Sequence, residues 1–311
     1  MERARQPVEL GKHDAQPFGK LVARLGVLVR GETGAALLFL APAVIALLAF
    51  RILPAGWSLA TSFSKPISGG GISFVGLDNY VFLLRSPGFI GSVVTTIVFN
   101  LVINPVQITL ALALAVLLSQ RLPGVGIWRV LVFLPTAVPL AITSIVWGVA
   151  FRPEGPINAV LAHFGIRGQS FLTSSDQALG SIIILASWAG VGYWMIFLIA
   201  GLQEIPEECL EAAAVDGAGW WRTFFSITLP MLRRPLAFVL VADTVANFIL
   251  FAPVQILTKG GPLDSTNLLM FDVYKQAYVY GDLSLATAEV VVLVLIMLSI
   301  VTLEFRLLRQ R

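Results

Sequence analysis

The side chains able to do chemistry in this sequence are few, and most stand in apolar surroundings. Asp243 and Glu289 are each the single charge of a long stretch otherwise free of charge. Asp243 and Asn247 are one helical turn apart, so they share a side of any helix that carries them. Asn100, Asn104 and Gln107 make a similar stripe in another uncharged stretch. Polar groups in such surroundings imply a pathway for a polar solute, a proton relay, or hydrogen bonds between helices. A separate group, Glu207, Glu208, Glu211 and Asp216, is crowded into one polar segment. His13 and His163 are too few and too far apart for a metal site, and Cys209, the only cysteine, forms no internal disulfide. No G-x-x-x-x-G-K-[ST] phosphate loop occurs: Gly11-Lys12 and Gly19-Lys20 lack the upstream glycine and the following hydroxyl. The chain is therefore not expected to bind or hydrolyse ATP itself. An intramembrane enzyme finds no Ser/His, His/Glu or paired-Asp constellation, since His163 has no obvious partner.

The elements that must position these groups follow from composition. Of 311 residues, 57% are hydrophobic and 13% charged. An ordinary soluble domain has about 25% charged residues. So apolar a chain cannot cover a globule with polar surface, which excludes a soluble enzyme, and it has too much apolar surface for disorder. A helix needs ~20 apolar residues to cross the hydrocarbon core. Six stretches qualify: Gly34 to Phe50, Ser86 to Gln120, Val130 to Phe151, Gln177 to Gln203, Pro235 to Thr258 and Leu283 to Leu303. The second is longer than one span needs, so part of it is assigned to the interface. The expected fold is all-α, a polytopic membrane protein of six transmembrane helices. A β-barrel would show short alternating segments.

Charge sets the orientation. With a cytoplasmic N-terminus, 14 of the 21 Lys and Arg residues fall inside, among them Arg3 to Arg30, Arg121, Arg129, Arg222, Arg233, Arg234 and Arg306 to Arg311. That bias predicts N-in and C-in. Residues 1–33 then form a cytoplasmic tail, 34–306 the membrane domain and 307–311 a short cytoplasmic end. The tail carries no early apolar run, so the first span serves as an uncleaved insertion signal. Its bases are not interleaved with aromatics, which argues against nucleic acid.

The loop at 203–234 is too long for a simple connection, usually ~2–8 residues. Pro206 suits a helix start, and Glu207, Glu208 and Glu211 lie near that N-terminus, where negative charge complements the dipole. Leu210, Ala213 and Ala214 predict one apolar face. Gly217 and Gly219 predict a stop, with Gly217 at positive φ. A second short helix is predicted from Trp220, carrying Trp221, Phe224, Phe225 and Ile227 and ending by Pro230, with Pro235 opening the fifth span. The pair reads as a helix–turn–helix on the cytoplasmic face. The alanines at 212–214 would admit a close-lying protein surface; alternatively, the tryptophans anchor the pair at the membrane interface.

The string Glu211-Ala212-Ala213, Asp216-Gly217-Ala218 and Ile227-x-Leu229-Pro230 resembles the EAA motif of the membrane subunits of binding-protein-dependent ABC importers. FVGLDNYVFLL (Phe74 to Leu84), WRVLVFLPTAVPLAITSIVW (Trp128 to Trp147) and LTKGGPLDST (Leu257 to Thr266) are similar to segments of the carbohydrate-uptake permeases of the maltose and glycerol-phosphate type. Phe251 is followed here by Ala252 and Pro253, where that family often carries a polar pair. The resemblance implies the type I importer transmembrane fold in a bacterial inner membrane. It also implies a second homologous permease chain, two ATP-binding cassette subunits that bind ATP and Mg, an extracytoplasmic solute-binding protein and a sugar-type or polyol solute. It places ATPase coupling at Glu207, Glu208, Glu211, Ala212, Ala213, Asp216, Gly217, Ala218, Phe224, Leu229 and Pro230. Candidates for the substrate pathway are Asn247, at a polar family position, with Asp243, Trp188, Tyr193 and Phe251 as polar or aromatic groups within the spans; Asp243 could instead pair with a base of the partner chain. The second-span stripe is read as interhelical bonding, and Glu289 as reaching water near the outer end of its span. The alternative is an ion-coupled secondary transporter using Asp243 and Glu289 as proton-coupling carboxyls, although no internal repeat is visible.

Overall fold

The computed structural model describes residues 32–67, 71–120 and 123–309. The basic N-terminal tail up to Arg30, Arg121 and the last two residues lie outside them. The chain divides between Ser58 and Leu59 into two compact units. The described part of the first unit belongs to a helix, α1, whose apolar run extends over Ala36–Thr61 and so ends in the first residues of the second. It carries Pro42 and loosens into a π turn at Leu48–Ile52. A proline lacks the N–H that an α-helix requires and clashes with the preceding turn.

The second unit opens with a small antiparallel hairpin, β1 (Ser64–Pro66) and β2 (Ile72–Phe74), in register Lys65 to Ser73. Asn79, fully buried, ties it to the next helix by donating to the Ser62 and Ser64 carbonyls at 2.8 and 3.0 Å. That helix is α2 (Asp78–Arg85). α3 (Pro87–Ser119) follows as one unbroken helix of 33 residues. At 1.5 Å per residue it is about 50 Å long, more than the ~30 Å hydrocarbon core needs, in keeping with the expectation that part of the stretch lies in the interface. Ser86 caps it, and Pro87 fills the first turn, where a missing N–H costs nothing.

The third expected span is broken. α4 (Val125–Ala137) and α5 (Leu140–Ala150) meet at 96°. Pro139 is the cause: it cannot donate, and it drives Val138 out of the helical region to φ −89°, ψ 130°. A short helix α6 (Pro156–His163) leads to α7 (Ala178–Gln203). The polar loop at 203–234 carries α8 (Glu207–Val215) and α9 (Trp220–Met231). α10 (Arg233–Phe248) is only 16 residues long and stops before the expected Thr258; Val254–Thr258 is a π turn instead. After α11 (Leu269–Tyr274) the chain ends in α12 (Leu283–Arg309). Among the described residues, four helices are long and apolar enough to cross a membrane, and the two bent pairs bring the number to six if each counts as one span.

α7 is the central rod: 61% of its most apolar window is buried, against 33% for α3 and 28% for α12. Three apolar clusters surround it and its neighbours. Phe99, Ile103, Ile182 and Phe271 join α3, α7 and α11. Ala111, Ala115, Met195, Leu198 and Val239 join α3, α7 and α10. Leu83, Phe89, Leu269 and Leu285 join α2, α3, α11 and α12. Small residues set the closest approaches, as expected where helices pack without a hydrophobic drive. At Gly192 an added Cβ would lie 2.2 Å from the Val132 carbonyl oxygen of α4. Backbone cannot yield as a flexible side chain can. Gly192→Ala should therefore destabilise the protein by about 1–3 kcal/mol, seen as a lower melting temperature of the purified protein in detergent. Gly180→Ala, on the same helix and with open space at the new Cβ, should leave the melt unchanged or slightly raised.

Candidate functional site

The polar loop after α7 folds as an elbow of two helices. α8 begins at Pro206, with Glu207 and Glu208 in its first turn. Its end has a defined cap: Gly217 N donates to Ala214 O at 3.1 Å and Ala218 N to Ala213 O at 2.9 Å. This is the paired bonding of a Schellman turn, and Gly217 takes the left-handed conformation it requires, φ 71°. The inward face differs from the expected one. It runs through Ile205, Cys209 and Ala213, four residues apart, whereas Leu210 and Ala214 point outward. The outward surface of α8 is thus Glu207, Glu208, Leu210, Glu211, Ala212, Ala214 and Val215. It is acidic at one end and small-chained along its length.

α9 follows after Ala218 and Gly219. It continues one residue past Pro230, through a π turn at Phe224–Thr228 that accommodates that proline. Trp220 stacks on Phe224 with centroids 5.4 Å apart and rings 3° from parallel. Leu229 and Pro230 are half-buried. The corner between α9 and α10 is the single residue Leu232, fully buried, at a bend of 67°. Pro235, expected to open the fifth span, is the third residue of α10.

Within the membrane domain the expected polar residues converge, but on one another. Asn247 Nδ2 donates to Asn104 Oδ1 at 2.8 Å and to Gln107 Oε1 at 2.9 Å. Asn104 Nδ2 donates to Thr244 Oγ1 at 2.8 Å, and the Thr244 hydroxyl donates to Glu304 Oε1 at 2.8 Å. Gln107 Nε2 reaches the Ala186 carbonyl at 3.0 Å. The chain of bonds therefore links α3, α7, α10 and α12. Asp243 is buried beside it, within hydrogen-bonding reach of the Trp194 and Asn247 side chains. Asn100 stands apart and bonds its own helix at Thr96 O.

Two expectations need correction. Asn247 is 4% exposed and does not line an open face of this chain, because both its donor bonds are spent on α3. Glu289 does not reach water: it is 0% exposed, and neither carboxyl oxygen has a hydrogen-bond partner. The folded segment around α11 covers it. There Lys275 pairs with the buried Asp272 at 3.0 Å and approaches Asp264 at 4.0 Å. The aromatic candidates do not gather. Trp188 is 47% exposed and meets Trp147 of α5 edge-on at 5.6 Å. Tyr193 is turned toward Phe197 at 5.0 Å. Phe251 packs on Tyr274 at 5.0 Å. Sequence reasoning missed Thr244 and Glu304. Thr244 lies three residues before Asn247, so the same helical spacing that singled out Asp243 also marks it. Glu304 falls just beyond the apolar stretch that ends at Leu303.

Against this geometry, residues 107–310 match the family described as "Binding-protein-dependent transport system inner membrane component". The chain belongs to that family. This importer permease has relatives of nearly its own length. It is 33% identical over 275 residues to the sn-glycerol-3-phosphate transport system permease protein UgpA of Brucella abortus, covering 88% of this chain and 94% of that one. It is 34% identical over 272 residues to the UgpA protein of Escherichia coli O157:H7, covering 86% and 92%. Its fold matches a chain of a bacterial ABC transporter involved in the import of the acidic polysaccharide alginate. There the TM-score is 0.76 at 21% identity, over 94% of this permease and 98% of that chain. A second structure of the alginate transporter, with an alginate pentasaccharide-bound periplasmic protein, gives a TM-score of 0.77 at 21% identity, over 92% and 94%. The protein is thus a multi-pass inner-membrane permease subunit of an ABC importer with the type I fold. Membership in a family that works with a binding protein leaves the ion-coupled carrier without support.

The convergence of Asn104 and Asn247 has a measurable consequence. A double-mutant cycle of Asn104→Ala and Asn247→Ala, read by thermal melting in detergent, should return a coupling of about 0.6–1.7 kcal/mol. The same cycle with Asn100→Ala in place of Asn104→Ala should return a coupling near zero, since Asn100 bonds only its own helix.

Proposed function

We propose that this permease forms half of the translocation pathway of an ATP-driven importer for a carbohydrate or a polyol phosphate. The solute class rests on the sn-glycerol-3-phosphate relatives and on the sugar-type sequence segments. A second homologous permease supplies the other half, and an extracytoplasmic receptor delivers the solute. Six spans with both termini in the cytoplasm accord with the Lys and Arg distribution. ATP and Mg sit on two separate ATPase subunits, in keeping with the missing phosphate loop. Trp188 and Tyr193, both more than a third exposed, are the residues best placed to offer ring faces to the solute. Phe251, packed on Tyr274 and Phe271, is a further candidate for the pathway.

The observation that carries the reading is the capped α8 with its outward Glu208, Glu211 and Ala212. Small side chains let a partner surface lie close, and the carboxylates meet basic groups at its rim. α9 and α10 follow without a flexible linker, so force applied at α8 reaches the span directly. Phe224, Leu229 and Pro230 stiffen the second limb, while Asp216, Gly217 and Ala218 fix the turn between limbs. ATPase closure then biases a two-state membrane domain at one end, and the loaded receptor biases it at the other.

Reconstitution with the second permease, the ATPase and the receptor tests this reading. Uptake should vanish on ATP depletion and survive an uncoupler. Glu211→Lys, which places like charges across the joint, should lower uptake by at least about tenfold, a loss of 1.4 kcal/mol or more. Gly217→Val should do the same by forbidding the left-handed turn. Both variants should still insert into the membrane. Normal ATP-driven uptake by both would remove the elbow from the coupling path.

A further inference from the structure

The second limb of the elbow carries rings that the rest of the chain leaves open. Trp220, Trp221 and Phe225 are 54%, 67% and 57% exposed. Trp221 and Phe225 lie four residues apart and stack at 6.0 Å, 15° from parallel, so they form one outward apolar ridge. Arg222 and Ser226 are exposed beside that ridge. The contrast with α8, whose outward surface is acidic and small-chained, is sharp.

Position and angle point the same way. α10 begins one residue after α9 ends, and the two are inclined at 67°. A span tilted by about 20° from the bilayer normal leaves α9 at about 47–87° from that normal, on the membrane-plane side of the diagonal. Attachment at Arg233, the first residue of α10, fixes its depth at the end of the span. Tryptophan and phenylalanine on one side, with arginine at the flank, is the composition that suits a helix lying in the headgroup layer.

We propose that α9 is a membrane-surface anchor. Trp221 and Phe225 dip toward the acyl chains, and Arg222 meets the phosphates of anionic phospholipids. α8 is thereby held at a set height above the bilayer, free to face its protein partner. The proposal rests on α10 entering the membrane and not on ATP coupling, so the failure of either reading leaves the other testable.

The assembled transporter, reconstituted in vesicles of phosphatidylcholine with phosphatidylglycerol, decides it. Nitroxide labels are placed singly at Phe225→Cys, Trp221→Cys and Val215→Cys on a Cys209→Ser background. Their collision rates with dissolved oxygen and with a water-soluble nickel chelate are compared. The labels at 221 and 225 should favour oxygen, and the label at 215 should not. Adding Arg222→Gln should lower the membrane-seated population about fivefold, and pure phosphatidylcholine should erase the difference between Arg222 and its variant. Two single-label variants each keep the other ring, so loss of one anchor does not decide the result. Labels at 221 and 225 open to the chelate would overturn the proposal, as would labels shielded from both reagents, which would mean a protein partner covers α9. An Arg222→Gln variant indistinguishable from the parent in both lipids would overturn the anionic contact.

Discussion

A polar side chain inside hydrocarbon has no water to fall back on, so its partners must come from the protein itself. That constraint organises the membrane domain. Asn104, Gln107, Thr244, Asn247 and Glu304 bond one another across helices that are distant in sequence, and Gln107 extends the set to a backbone carbonyl of the central rod. Individual bonds of this kind contribute only about 0.6–2 kcal/mol. Their geometry matters more than their sum. Apolar contacts between lipid-like surfaces tolerate sliding, whereas a chain of directed bonds admits one register of α3, α7, α10 and α12. The apolar cluster around Ala111, Met195 and Val239 lies on three of these four helices, α3, α7 and α10, and gains a fixed alignment from it.

Glycine supplies the complementary constraint. Gly192 lets α7 meet the backbone of α4, and Gly201 lets it meet Pro235 and Leu232 at the foot of α10. The central helix is therefore gripped at mid-height and at its C-terminal end. Between those grips the polar chain prevents rotation. The elbow emerges from this clamped base as a stiff structure. Its turn is closed by backbone bonds at Gly217 and Ala218, and its second limb is braced by ring stacking of Trp220 on Phe224.

What was legible in one sequence follows from range. The elbow is a local structure, and Pro206, Gly217 and Trp220 mark its boundaries through backbone chemistry alone. The bend of the third span was equally local: Pro139, legible in the sequence as a helix-interrupting residue, dictates it, although composition counts the stretch as one span. On α8 the apolar face predicted through Leu210, Ala213 and Ala214 is divided, because of the three only Ala213 is buried, one turn after Cys209. The polar network was only half visible. Periodicity placed Asn104 with Gln107 and Asp243 with Asn247, but the bond between Asn104 and Asn247 spans 143 residues. No single-chain pattern carries that pairing. Glu289 was misplaced for a different reason: the segment at 269–282, which directly precedes α12, folds back over it, and spacing alone does not reveal that fold.

Leu232 carries a last implication. It is the only residue between α9 and α10, and it is wholly enclosed. Flexing the corner would drag a leucine side chain into water, at a cost of about 1.5–3 kcal/mol. Thermal agitation opens such a joint in only a few molecules per hundred. The corner thus behaves as a fulcrum and not as a swivel: a push on the outer limb tips the whole lever, with little slack lost to wobble.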